Sequence, residues 1–190
     1  MFSLLSRPAA ATLNPLGVGD VAPEFAFKTI EGKQGHVRDF RGWVVVYTAA
    51  DRDTYEPLMN WQRRAGPAVA SAHPDLKVVY INVANVSVVP SMMKGVVEPI
   101  LKHLAEGAMA DLRTAYSKEG LNLSEDRFQA HLIADWSGEV MQKFGLAKAS
   151  PFRSWVATDR RIVGSFEPTE GGMERRFMSL FDEISRYDVH

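Results

Sequence analysis

Two runs rich in β-branched and aromatic residues, Trp43 to Thr48 (WVVVYT) and Leu76 to Val83 (LKVVYINV), constrain the fold more than any other feature. A strand with one wet face alternates apolar and polar residues, whereas a strand covered on both faces reads as a continuous apolar run. Both runs therefore belong inside a parallel sheet. Parallel neighbours need a crossover of a dozen or more residues, and the intervening chain supplies one. From Thr54 to about Ala72, the residues Tyr55, Leu58, Met59, Trp61 and Val69 recur at helical spacing, and Gly66-Pro67 is expected to kink or divide that helix.

The remaining chain continues the pattern. Phe25 to Ile30 alternates with period two before the Glu31-Gly32-Lys33 turn and reads as a short edge strand. Between Pro90 and Ser117 the apolar positions, Val97, Ile100, Leu101, Leu104 and Leu112 among them, are helical, with Gly107 expected to split the stretch in two. Ala130 to Asp135 reads as a third strand, and Glu139 to Phe144 as a short helix stopped by Gly145. Phe152 to Thr158 and Ile162 to Phe166 form two strands joined by a tight turn. A last helix from about Gly172 to Tyr187 shows Phe177, Leu180, Phe181 and Ile184 on one face. The order β-α-β-α-β-α-β-β-α is α/β, with parallel strands early and an antiparallel hairpin late. Residues 1–16 read as a loosely ordered arm and 17–190 as a single domain.

Composition bears on chemistry by exclusion. With 22 Lys+Arg against 23 Asp+Glu, the chain lacks the basic excess of a general nucleic-acid binder. No apolar run is long enough to span a bilayer. The opening Met1 to Pro8 lacks a basic n-region and is interrupted by Arg7-Pro8, so a cytoplasmic protein is expected. There is no cysteine at all, which excludes disulfides, thiolate metal sites and a cysteine nucleophile.

Several short strings, in order, resemble the thioredoxin-like superfamily, and specifically its redoxin branch of AhpC/TSA peroxiredoxins and TlpA-like thioredoxins. Gly19-Asp20-Val21-Ala22-Pro23-Glu24-Phe25 is similar to that branch's opening G-x-x-A-P-x-F. Val37-Arg38-Asp39-Phe40-Arg41-Gly42 is similar to its V-x-L-x-D-F-x-G, and Asp135-Trp136-Ser137-Gly138-Glu139-Val140 to its D-x-x-G-E-V. Phe144-Gly145-Leu146 follows as its Y-G-V, and Pro151 stands eleven residues before Ile162, as the family's proline does. The resemblance runs from about residue 17 to 187, interrupted by an insertion at about 88–128. It implies a three-layer sandwich with a central mixed sheet and a helical insertion.

The departures fall on the chemistry. The family's catalytic cysteine follows the first long strand, at a helix N-terminus, where the dipole and free N–H groups favour thiolate. Here that segment reads Thr48-Ala49-Ala50-Asp51-Arg52-Asp53-Thr54-Tyr55-Glu56-Pro57. A thioredoxin alignment puts the two cysteine positions near Arg52 and Tyr55, and a peroxiredoxin alignment puts the peroxidatic one at Glu56. None of these side chains exchanges disulfides or forms a sulfenate. None is the serine or alanine of deliberate replacement either, which favours natural loss. Arg160 stands where a turn glycine is usual, so a different turn type is expected there.

The site candidates follow, each with two readings. Asp51 and Asp53 read as a carboxylate pair, or as helix-start residues with Asp53 or Thr54 as cap. Ser150-Pro151 reads as a cis-proline loop that docks an extended peptide, or as a plain turn. Arg153, near the family's activating arginine, binds an anion or is simply exposed. Met92, Met93, Met109 and Met173 read as an adaptable surface or as core filling. The five histidines show no metal-binding spacing, and neither a metal nor a cofactor is expected.

The leading expectation is therefore a redoxin-like protein without thiol peroxidase or disulfide reductase activity, acting as a binding or regulatory module. Its binding residues would be Asp51, Asp53, Thr54, Ser150, Pro151 and Arg153, and its partner a protein or peptide at the vestigial groove. Non-thiol catalysis around Asp51, Asp53, Glu56 and Arg153 is the alternative. A homodimer is the third reading.

Overall fold

The computed structural model of the chain describes residues 14–123, 126–146, 153–167 and 172–187. Its centre is a five-stranded mixed sheet in the order β5-β4-β3-β6-β7, made of β3 (Val44–Ala50), β4 (Val78–Asn85), β5 (Phe128–Asp135), β6 (Arg153–Thr158) and β7 (Arg161–Phe166). The two apolar runs are neighbours, β3 parallel to β4 with Val44 opposite Val78, and β5 extends the parallel set from Val78 opposite Phe128. β6 and β7 complete the sheet antiparallel. Every residue of β3 is buried, as a strand covered on both faces demands.

The edge strand expected at Phe25 lies outside this sheet. β1 (Ala26–Lys28) pairs with β2 (Gln34–His36) as a separate hairpin, which covers one face of the large sheet together with α3 (Glu139–Lys143). Phe25, Phe27, Tyr47, Met141, Phe144 and Trp155 pack together on that face. Asp135 orders the entry to α3: its buried carboxylate accepts from the amides of Gly138 and Met141, both at 2.9 Å. Gly145, at φ +70°, ends this turn, and a β-carbon there would collide with the carbonyl of Asn14. That close approach docks the N-terminal segment, whose Leu16 amide donates to Phe144 O at 3.1 Å and whose Leu16 carbonyl accepts from Trp155 Nε1 at 2.9 Å.

The opposite face carries the long helices α1 (Tyr55–Ala72), α2 (Lys94–Lys118) and α4 (Met173–Tyr187). Two expectations are corrected here. Gly66-Pro67 leaves α1 as one element of 18 residues, because Leu58, Trp61, Ala65 and Val69 hold both halves on the sheet. Gly107 likewise does not divide the insertion: α2 is continuous over 25 residues, passing through both Pro99 and Gly107. Lone glycine costs a helix about 1 kcal/mol, too little to break one that is anchored by Ala105, Leu112 and Tyr116. Gly66 has a packing role instead, since it lets the Tyr116 ring close on α1, with the phenol oxygen 3.2 Å from where a β-carbon would stand.

The different turn type expected at Arg160 is corrected: the β6–β7 turn keeps the form that glycine usually serves. Thr158 pairs with Arg161, and the two residues between them, Asp159 and Arg160, both adopt positive φ (44° and 67°). That is the type I′ pattern, here without glycine.

Candidate functional site

The loop after β3 is organised by one side chain. Asp51 Oδ1 accepts three hydrogen bonds, from the amides of Asp53 (3.1 Å) and Thr54 (3.0 Å) and from Thr54 Oγ1 (2.7 Å), while Asp51 N donates to Thr54 Oγ1 at 3.0 Å. Thr54 is the N-cap position of α1, but its hydroxyl turns back to Asp51 and makes no cap bond to the helix. Asp53 is exposed and does not cap. Asp51 thus shapes the turn, and the cap expected from Asp53 or Thr54 is not made.

The positions that the resemblance assigns to thiols divide. Arg52 and Glu56 are exposed, whereas Tyr55 is half-buried and its hydroxyl donates to the carbonyl of Leu104 on α2 at 3.3 Å. Burial raises the Tyr55 phenol pKa, and the nearby Arg63 opposes that in part. Arg153, expected to be exposed, is corrected by the structure: it is largely covered and ion-paired with Glu167. Ser150, Pro151 and Phe152 lie outside the described residues.

Between the first half of α1 and residues 97–112 of α2 lies a cleft of about 850 Å³. Its floor is the sheet, through Asn82, Ala84, Ala130 and Leu132; α1 contributes Leu58, Met59 and Gln62, and α2 contributes Leu101, Leu104, Ala105 and Ala108. The loops following β3 and β4 close its end, and Asp51, Arg52 and Asp53 stand there. This is the crevice beyond the carboxyl ends of parallel strands, the usual ligand position in open α/β sheets. Glu56 and Arg153 do not line it, so the four residues named for non-thiol catalysis are not brought together. Among the described residues, no group of three or more His, Asp or Glu is arranged to hold a metal ion.

Three polar side chains under the cleft had not been singled out from the sequence. Thr48 Oγ1 and Gln62 Nε2 both donate to Asn82 Oδ1, the latter at 2.7 Å. Thr48 and Gln62 are 0% and 2% exposed, and Asn82 is half-buried. The available signal was polarity out of place: Thr48 and Asn82 each interrupt an otherwise apolar strand. The methionines split between their two readings. Met92 is 87% exposed and Met109 lines the cleft, while Met173 is buried.

No protein-family model matches the sequence, and no curated protein matches it. Solved structures do match its shape. BsSco, of the Sco family of cytochrome c oxidase assembly proteins, is 14% identical at a TM-score of 0.56, with 91% of this chain and 96% of that one covered. A thiol:disulfide interchange protein from Bacteroides sp. is 14% identical at 0.53, covering 92% of each chain. The fold is thioredoxin-like. The exposed lipoprotein thioredoxin Etrx1 of Streptococcus pneumoniae shares it at 12% identity and a TM-score of 0.50, covering 85% and 99%. Among the described residues no helix is long and apolar enough to cross a membrane. Since an exposed lipoprotein shares the fold, that observation does not assign this thioredoxin-like chain to the cytoplasm. These three neighbours bear thiol-chemistry or assembly names, yet this chain has no cysteine with which to do thiol chemistry.

Proposed function

We propose that this chain is a binding or regulatory module, of redoxin type, on a thioredoxin-like scaffold without thiol chemistry. One observation carries the reading: the apolar cleft opens beside the start of α1, near the Arg52 and Tyr55 that the resemblance aligns with two thiols. A cavity of this size with apolar walls and few polar groups has the character of a small-molecule site. A protein or peptide partner at the same mouth is the second reading. It is favoured by Val96, Ile100 and Leu104, which leave an exposed apolar row (56%, 54% and 39%) on α2.

The test combines activity and binding. Insulin reduction and peroxide consumption by the purified chain are expected to match a boiled control. The uncharged dye N-phenyl-1-naphthylamine is expected to bind saturably at one site, and Ala105→Trp, which fills the cleft, to abolish that binding. Turnover above the control, or dye binding indifferent to Ala105→Trp, overturns the reading.

A further inference from the structure

We propose that the cleft takes an uncharged, largely apolar molecule carrying a carboxamide-type group, a carbonyl acceptor beside an N–H donor, which Asn82 and Gln62 read together. This rests on the binding reading above and specifies its ligand.

The hydrogen-bond inventory of the floor leads to that group. Asn82 Oδ1 has both lone pairs taken, by Thr48 Oγ1 and Gln62 Nε2. What remains is the Asn82 Nδ2 amide, a donor, and Gln62 Oε1, an acceptor. Among the described residues neither atom has a hydrogen-bond partner, although both residues line the cleft and Gln62 is 98% buried. Neither atom is among the buried polar atoms left without a partner, so both are accessible from the cleft and open to a matching ligand group. The hydrogen bonds from Thr48 and Gln62 to Asn82 Oδ1 fix both amides before any ligand arrives.

Charge settles the rest of the chemistry. The charged side chains lining the cleft are Glu31, Asp51, Arg52 and Asp53, in the loops at its mouth, with a formal excess of negative charge. The His131 ring lies on the opposite face of the sheet, against Phe27 and Phe40 at 5.7 and 5.5 Å. Among the described residues no lysine or arginine lines the floor to neutralise a carboxylate, so an anionic head group gains nothing from them and is repelled at the entrance. The apolar walls take the remainder of the ligand, and about 850 Å³ is ample for a drug-sized molecule.

The experiment uses three probes sharing one chain, titrated calorimetrically into the whole protein at pH 8: dodecanamide, methyl dodecanoate and dodecanoate. Dodecanamide is expected to bind at least 10-fold more tightly than either of the others. In Gln62→Met, which keeps the volume and removes the acceptor, the amide is expected to lose its advantage over the ester, the ester staying within about 2-fold of its wild-type affinity. Equal or tighter binding of dodecanoate, or an amide preference that survives Gln62→Met, overturns the proposal. If that variant does not fold, the wild-type series decides alone. Dye binding that Ala105→Trp blocks, together with no amide preference, sinks this proposal and leaves the binding reading standing. Absence of dye binding sinks both.

Discussion

Helix α1 has two flanks that rest on the same sheet and are packed in opposite ways. Toward α4, Trp61 meets Phe177 edge-on at 4.8 Å, Phe177 meets Phe181 at 4.8 Å, and Phe166 closes the group at 5.6 Å. Phe177 and Phe181 are wholly buried. Toward α2, contact is made at the far end through Gly66 and Tyr116, while the near ends stand apart around the cleft. There the helices are tied at their edges by the Tyr55–Leu104 hydrogen bond and the Arg63–Asp111 ion pair. The difference separates two tasks. The α4 flank supplies cohesion by dense aromatic packing, which frees the α2 flank to leave apolar side chains partly unfilled.

The largest effect should come from the dense flank. Phe177→Ala is expected to cost about 3–5 kcal/mol, since it removes a ring surrounded on all sides. Leu101→Ala, on the cleft wall, should cost less than about 1 kcal/mol, because that side chain already borders open space. Urea unfolding of the two variants makes the comparison, and equal costs would break it.

Alkaline pH sharpens the contrast. Burial raises the phenol pKa of Tyr47 on the hairpin face and of Tyr80 and Tyr116 on the helical face, all 2% exposed. A raised folded pKa means that the unfolded chain gives up its proton first, near pH 10. Stability is therefore whole below that pH and falls above it, by about 1.4 kcal/mol per pH unit for each tyrosine. Unfolding measured between pH 9 and 11 should show this fall, and each Tyr→Phe variant should reduce its slope. Tyr80→Phe should do so at little cost at neutral pH, because Tyr80 Oη has no hydrogen-bond partner among the described residues. A slope unchanged by all three substitutions would refute it.

The dense flank was legible in the sequence and the open one was not, for a physical reason. Phe177, Leu180, Phe181 and Ile184 announce a packed face by their period, and β3 and β4 announce double burial by their continuity. Periodicity marks which residues avoid water; it does not say whether the partner across from them fills the space. The apolar positions of α2 accordingly read as helical and no more, and Val96 and Ile100 are more than half exposed. Gly107 misled because a local preference of about 1 kcal/mol was weighed without the tertiary anchors beyond it. The turn after β3 was legible in part: Asp51 and Thr54 were picked out, but their pairing with each other depends on backbone geometry that composition does not encode.

That turn gives the next effect in size. Asp51→Ala leaves three donors without their acceptor and is expected to cost about 1–2 kcal/mol, whereas Asp51→Asn, which keeps an acceptor oxygen, should recover much of it. Thermal unfolding checks the pair. Equal losses in both variants would mean that the negative charge at the start of α1, rather than the turn, is what matters there.

The smallest effect bears most directly on the cleft. Tyr55→Phe deletes a single long hydrogen bond to Leu104 at a partly exposed position, so global stability should change by about 0.5 kcal/mol or less. Its consequence should be local. The first turns of α2 have no buried side chain before Ala105, so the Tyr55 hydroxyl holds a segment with little packing of its own. Amide hydrogen exchange in residues 94–104 is expected to quicken several-fold in Tyr55→Phe while exchange in α4 stays unchanged. Unchanged exchange along α2 would mean that the helix is held by its own backbone and by Leu112 and Tyr116 further along. The cleft mouth would then be rigid, and Tyr55 would have no part in controlling entry.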